Sequence, residues 1–423
     1  MIFTDLNLDR KREIGYFSYV CAVLTMFILP IQVKYVSPIM ILWLICWIFE
    51  NYQKLSNIKK SGIQYSLLFI FSISYYLWQC AGLIYSDDIE MGLSNIFGRI
   101  SMMIFPIVLI LPGESVKSRL KFLLNVFAFS TFIYLVFCYG FAAYRSISVV
   151  DGEWIINPHP QEIWLNYFYG AELMIKTHPS YFSMYALLSL FISFEQAFDN
   201  GQDKRRRIMW FIIGLILLIS QYFISSRAGI LISLILVPVY FMNKLRKIRF
   251  ARIGIIVLFL ALIPVILKNQ RVDYFFGKVL NTQVDYERKE DPRFKIWESS
   301  VTLVKKNILL GVGIGDVRNE LVLQYIKDGE EEMAHERYNA HNQFLETMLE
   351  SGLVGFLLFI SVFATMSYIA VSERNILYGY YILIVLLFFM FETVLYRLAG
   401  ITFFSIFSFL LLYYNNSTRP AKM

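Results

Sequence analysis

His341 opens the run Ala340-His341-Asn342-Gln343-Phe344-Leu345, on the threshold of an apolar helix. An imidazole in that place can take a proton from a hydroxyl near neutral pH, or can simply bond the backbone of a helix start. Arg227, in Ser225-Ser226-Arg227-Ala228-Gly229, sits between two apolar runs with almost no loop. Facing lipid near the bilayer midplane it would cost several kcal/mol. It therefore either snorkels to the interface or points into an outward-facing cavity, where its planar, permanently charged fork suits phosphate oxygens. Arg293 follows Pro292 and opens a helical pattern; by itself it reads as a solvated charge. Glu346 and Glu350 lie one turn apart at membrane depth and must face protein or water. Glu392 and Arg397, at the turn between the last two apolar runs, read as a structural ion pair first and a site second.

Two other chemistries are weak here. Gly311, Gly313 and Gly315 superficially match a dinucleotide fingerprint, but no strand–turn–helix unit surrounds them. They suit a tight turn or a close backbone approach instead. His159, His178, His335 and His341 show no pair at metal-ligand spacing and no cysteine joins them, so neither a metal nor another cofactor is expected.

The elements that must position these groups are membrane spans. The 423 residues are 57% hydrophobic and only 17% charged, where a soluble domain is about half apolar and about a quarter charged. The apolar excess is clustered into stretches long enough to cross a bilayer as helix. Twelve spans fit, at 14–33, 36–52, 64–85, 95–112, 120–145, 179–198, 208–225, 228–243, 251–268, 341–371, 376–393 and 397–414. The expected fold is an all-α polytopic membrane protein, residues 1–423 forming one integral membrane domain. The first span is long and lacks a small-residue cleavage site after it, so it reads as a span that stays. Cys21, Cys46, Cys80 and Cys138 all fall in apolar spans, which argues against a disulfide framework.

Lys and Arg set the orientation. Arg10-Lys11-Arg12, Lys54 with Lys59-Lys60, Lys117 to Lys121, Lys204-Arg205-Arg206-Arg207 and Lys244 to Arg252 alternate with loops poor in both residues. Both termini are then cytoplasmic, and the net charge of +7 is explained by inside loops rather than by a nucleic-acid partner. Two hydrophilic outer loops result, about 146–177 and about 269–340. In the second, Phe294, Ile296, Trp297, Val301, Leu303 and Val304 recur at helical spacing, which predicts an amphipathic helix on the membrane surface. In the first, Trp154, Trp164, Tyr167, Phe168 and Tyr169 suit an interfacial aromatic belt.

Taken together, these segments resemble the O-antigen ligase and polymerase superfamily of bacterial envelope enzymes. The matching pieces are Ser226-Arg227-Ala228-Gly229, and Arg293 with Trp297 ahead of Gly311-Val-Gly-Ile-Gly315. The strongest is His341-Asn342-Gln343-Phe344-Leu345 followed by Glu350-Ser351-Gly352-Leu353-Val354-Gly355. His178-Pro179-Ser180-Tyr181 and the Glu392 to Arg397 segment also fit, so the resemblance covers about 178–415. It implies a metal-independent, inverting glycosyltransferase of the inner membrane whose site faces the periplasm. Its donor is a glycan on undecaprenyl diphosphate, and its acceptor is a hydroxyl of lipid A core or of another glycan. The family's two arginines map onto Arg227 and Arg293 and its histidine onto His341, with His178, Tyr181, Trp297, Asn342, Glu392 and Arg397 as supporting candidates. Membrane lipids are the remaining partner expected.

Three readings follow. Ligation to lipid A core is favoured by the His341 motif; polymerisation of the same carrier-linked glycan is its neighbour within the superfamily. A transporter or flippase for lipid-linked sugar is the alternative from another class, since twelve spans suit it. Against the transporter, the notable charges gather on one side of the membrane beside a large outer loop.

Overall fold

The computed structural model of the chain describes residues 2–51, 63–110, 113–150, 152–159, 166–246, 248–267 and 292–414. The 269–291 part of the large outer loop lies outside the described residues, as do Trp164 and the loop lysines Lys54, Lys59, Lys60 and Lys247. What is described is helical apart from one two-stranded hairpin. That is the expected solution in lipid, where no water satisfies a backbone N–H or C=O.

Seven helices among the described residues are long and apolar enough to cross a membrane. They are Val33–Asn51, Gln64–Tyr85, Ile89–Ile110, Leu120–Ser146, Lys204–Ile224, Arg227–Lys244 and Gln343–Ser372. Gly15–Ile28, Arg252–Ala261, Ile376–Phe389 and Leu398–Tyr413 are apolar but shorter. Pro179–Ala197 falls on a further expected span, with every side chain but Glu195 buried. The chain is thus a multi-pass all-α membrane protein, and by length and composition the described residues supply seven spans where twelve are expected. The chain groups into two compact units, residues 1–127 with 292–423, and residues 128–291.

The first unit is organised by a break in its longest helix. Gln343–Ser372 is interrupted at Gly352, whose φ of 59° and ψ of −161° are open only to glycine. A break inside a span releases backbone groups that must be paired. Val312 N–H donates to Leu349 O at 2.7 Å, Leu353 N–H donates to Ile308 O at 2.8 Å, and the Trp78 indole donates to Ser351 O at 3.0 Å. The glycine run is what lets the 308–316 loop reach the break. A Cβ on Gly311 would collide with Leu349 O, and one on Gly315 with Asp88 O. Asp316 completes the joint, its carboxylate accepting from Asp87 N–H at 2.9 Å and Asp88 N–H at 2.8 Å. So the glycines serve close backbone approach, and Asp316 bolts the loop to the turn ahead of helix Ile89–Gly98.

Beyond the break, Arg293–Lys306, Val317–Lys327 and Glu331–Glu336 pack around Ile296, Leu303, Leu321, Tyr325, Met333 and Leu349. The amphipathic helix is present where the periodicity places it, with Ile296, Trp297, Leu303 and Val304 packed on this protein core and Phe294 and Val301 exposed. Period reveals that a face is apolar, not what covers it. Lys295 pairs with Glu330 at 2.8 Å on the outside of this layer.

Beneath it, Arg99 sits at the interruption between Ile89–Gly98 and Ser101–Ile110. Its guanidinium makes a two-pronged pair with Glu350, Nη1 to Oε2 at 2.7 Å and Nη2 to Oε1, with both side chains 2% exposed. Replacing Arg99 by leucine strands the Glu350 carboxylate and is expected to cost about 3–5 kcal/mol. Pairing Arg99→Leu with Glu350→Leu should recover most of the loss. Thermal unfolding of the three variants in detergent measures it; a double variant no more stable than the single one would contradict this account.

The second unit holds Pro179–Ala197, Lys204–Ile224, Arg227–Lys244 and Arg249–Leu267. Helices approach closely at small residues here, as lipid-embedded helices do. A Cβ on Gly229 would overlap Ser183 Oγ, and one on Gly214 would lie 2.6 Å from the Phe194 ring. Buried hydroxyls add cross-links, Ser189 Oγ to Thr131 Oγ1 at 2.9 Å and Ser183 Oγ to Gln221 Oε1 at 2.5 Å. The outer loop 146–177 contains an antiparallel hairpin, Ile147–Val150 with Glu153–Ile156, so it is not wholly irregular. Its signal is the Asp151-Gly152 pair between β-branched runs, with Gly152 at φ 84°. Trp154 there is 78% exposed.

Candidate active site

Helix Arg293–Lys306 brings Arg293 to the outer layer of the first unit at its first turn. Its Nη2 lies 3.3 Å from Glu392 Oε1, and both side chains are 15% exposed. The other Glu392 oxygen, Oε2, lies 3.8 Å from His341 Nδ1. One carboxylate thus faces both a guanidinium and an imidazole. The ion pair read from sequence joined Glu392 to its neighbour Arg397; the geometry instead gives it Arg293, which is 99 residues away. Arg397 is exposed at the N-cap of helix Leu398–Leu410.

His341 is held in place by its neighbours. Its φ of 45° is left-handed, a conformation that costs a non-glycine residue about 1–3 kcal/mol and persists only where surroundings enforce it. His341 N–H donates to Asn339 Oδ1 at 3.1 Å, and the Tyr338 ring stands edge-on 5.9 Å away. Tyr338 is fixed in turn by the Tyr325 hydroxyl, which donates to its carbonyl at 3.3 Å. Burial, with the nearby Glu346 carboxylate adding to it, pushes the Tyr325 phenol far above its ordinary range, so it stays a donor. Ala340 N–H donates to Glu346 Oε2 at 3.1 Å, which gives that buried carboxylate a part in fixing the residue before His341.

The two residues after His341 place Glu392. Asn342 caps the kinked helix, its Oδ1 accepting from Phe344 N–H at 2.9 Å and Leu345 N–H at 3.1 Å. Its Nδ2 donates to Met390 O at 3.3 Å, while Gln343 Oε1, fully buried, accepts from Leu395 N–H at 2.7 Å. Both flanks of Glu392 are therefore tied to the helix that begins beside His341. Trp297 is one turn beyond Arg293, its ring 5.6 Å from Phe294, and its buried indole N–H has no hydrogen-bond partner among the described residues.

Two arginines outside the expected set hold charge near it, Arg318 in this layer and Arg99 beneath it. Arg318 donates through Nη1 to the Tyr396 hydroxyl at 3.1 Å and through Nε to Arg337 O at 3.3 Å. With Asn339, Glu346, Glu350 and Tyr396 it borders a cavity of about 20 Å³, enough for one water. Arg99 was legible by the same test applied to Arg227, a lone arginine inside an apolar run; Arg318 carried no such signal.

The second unit holds the other candidates. His178 caps helix Pro179–Ala197, its Nδ1 accepting from Ser180 N–H at 3.3 Å, and the Tyr181 ring lies 6.0 Å from its own. Arg227 is the first residue of Arg227–Lys244, capped by Ser226, whose Oγ accepts from Gly229 N–H at 3.3 Å. The turn before it is sharp, Ser225 having φ 55°. Because Gly229 packs on Ser183, the first turns of these two helices are neighbours. Two helix N-termini side by side favour negative charge, and Arg227 adds a full positive one. The structure thus gathers Arg293, His341, Glu392 and Asn342 in one unit, and His178, Tyr181 and Arg227 in the other.

Residues 211–360 match the family described as O-antigen ligase, which supports the resemblance to that superfamily. The matched span takes in Arg227, Arg293, Trp297, the glycine run and the His341 motif; His178, Tyr181, Glu392 and Arg397 fall outside it. No curated protein matches the chain.

Proposed function

With a third of the chain carrying the pattern of the O-antigen ligase superfamily, we propose that this protein is an inverting glycosyltransferase needing no metal. It moves a polysaccharide from undecaprenyl diphosphate to an acceptor sugar hydroxyl, most simply of lipid A core. It works in the inner membrane with both termini cytoplasmic and its site toward the periplasm. The acceptor oxygen attacks the anomeric carbon as the bond from that carbon to the diphosphate breaks. The bonding pair leaves on the phosphate oxygen, and the acceptor proton passes to His341. Arg227 and Arg293 hold the diphosphate and stabilise its growing charge, which is the work a divalent ion does elsewhere. The observation that supports this most is the short path His341–Glu392–Arg293, a base and a cation about one carboxylate. The polyprenyl tail stays in the bilayer while the diphosphate reaches the outer layer.

Arg227→Ala is expected to abolish transfer while leaving membrane insertion and detergent stability intact. Purified protein given carrier-linked glycan and lipid A core in detergent measures it. Full activity in Arg227→Ala would remove the diphosphate role. No transfer by the unaltered protein would favour the transporter, which has no second compartment to work across in a micelle. Glycan of normal length left unattached in a deletion strain marks a ligase; single-repeat glycan marks a polymerase.

A further inference from the structure

Of Arg293 and His341, the Glu392 carboxylate reaches hydrogen-bond range of Arg293 alone. Oε1 is within hydrogen-bond range of Arg293 Nη2 at 3.3 Å, whereas Oε2 stops 3.8 Å short of His341 Nδ1. That imidazole nitrogen is buried and makes no hydrogen bond among the described residues. A buried polar atom left unpaired is costly and calls for an explanation. Closing the gap needs about 1 Å of carboxylate movement, since an N–H···O bond is about 2.9 Å long. The backbone need not move, because Asn342 and Gln343 hold Met390 and Leu395 on either side of Glu392. The Tyr338 ring stands edge-on to His341, Asn339 Oδ1 accepts from the His341 N–H, and Glu346 is turned to the Ala340 N–H.

Arg293 is the cation that a diphosphate would take from Glu392. Guanidinium binds phosphate oxygens in a two-pronged fashion, and the incoming anion repels the carboxylate already there. We propose that Glu392 is a positioning residue handed from Arg293 to His341 when a diphosphate occupies Arg293, so that the base is oriented only in the donor complex. The inference rests on the transfer reading above. Once Glu392 accepts from Nδ1–H, the imidazole tautomer is set and Nε2 is left bare to receive the acceptor proton. Without donor, His341 has no fixed tautomer and the acceptor hydroxyl is not activated.

The chain has four histidines, His159, His178, His335 and His341. Nitrogen NMR of histidine-labelled full-length protein in detergent can therefore follow each one, with His341→Gln assigning the signal. The probe is undecaprenyl diphosphate, without acceptor. In the wild type, probe is expected to drive His341 from a mixture to the Nδ1–H tautomer. In Glu392→Ala the other three signals should be unchanged, showing the fold intact, and His341 should not respond. In transfer assays Glu392→Ala should lower kcat by about 100-fold, in the range of general-base catalysis, with donor KM no higher. Glu392→Asp should retain part of both effects. A His341 signal that is already Nδ1–H without probe, that ignores saturating probe, or that responds equally in Glu392→Ala would overturn the handover. If transfer fails with every donor while the probe response persists in the wild type and is lost in Glu392→Ala, the transfer reading falls and the handover stands as a binding response.

Discussion

His341→Ala is expected to lower glycan transfer by about 10²–10⁴, the usual worth of a positioned general base, with membrane insertion unchanged. The loss should appear in kcat, because the imidazole acts on the acceptor proton in the transition state and contributes little to holding the donor. His335→Ala is the control. Its side chain is 87% exposed in the same outer layer, so transfer should be unaffected. A His341→Ala protein that retains more than a tenth of wild-type kcat would remove the base from the mechanism. The effect cannot be assigned to lost packing alone, since His341 is 29% exposed, its N–H is held by the Asn339 side chain, and the helix start after it is capped by Asn342, both of which the substitution leaves in place.

Gly352→Val should have the largest effect on the fold itself. At φ 59° and ψ −161° a side chain is strained by about 1–3 kcal/mol before any contact is counted. The added Cβ would also lie 2.5 Å from Leu310 N and collide with Leu309 C and O, all backbone atoms that cannot turn aside. Relief requires pushing out the 308–312 loop, which breaks Leu353 N–H to Ile308 O and Val312 N–H to Leu349 O within the span. Each buried group left unpaired costs about 1–3 kcal/mol more. Yield of folded protein and its melting temperature in detergent should both collapse. Gly379→Ala is the contrast: nothing lies within 4 Å of its added Cβ, and alanine favours helix over glycine by about 1 kcal/mol. Equal stability of Gly352→Val and wild type would show that the helix is continuous there and that the loop is not seated on it.

Where a property depends on neighbours in sequence, the chain already declares it. Hydropathy over about 20 residues marks spans whatever packs beside them, and among the described residues seven of the expected segments carry helices long and apolar enough to cross a membrane. The 3.6-residue period places a helix over Arg293–Lys306, and Asn342 ahead of Phe344 and Leu345 reads as a cap because capping bonds reach only a few residues. His341 and Arg227 stand out as residue types that need a reason at the edges of apolar runs, whereas Arg293 by itself does not. What covers the Arg293 helix, why three glycines cluster, and which cation Glu392 answers to are settled by contacts between distant segments. Glu392 looks paired with Arg397 in sequence because five residues separate them, yet two side-chain amides at 342 and 343 carry it to Arg293 and His341. The energy that decides such partners is released only when the chain has folded, so no local pattern can encode it.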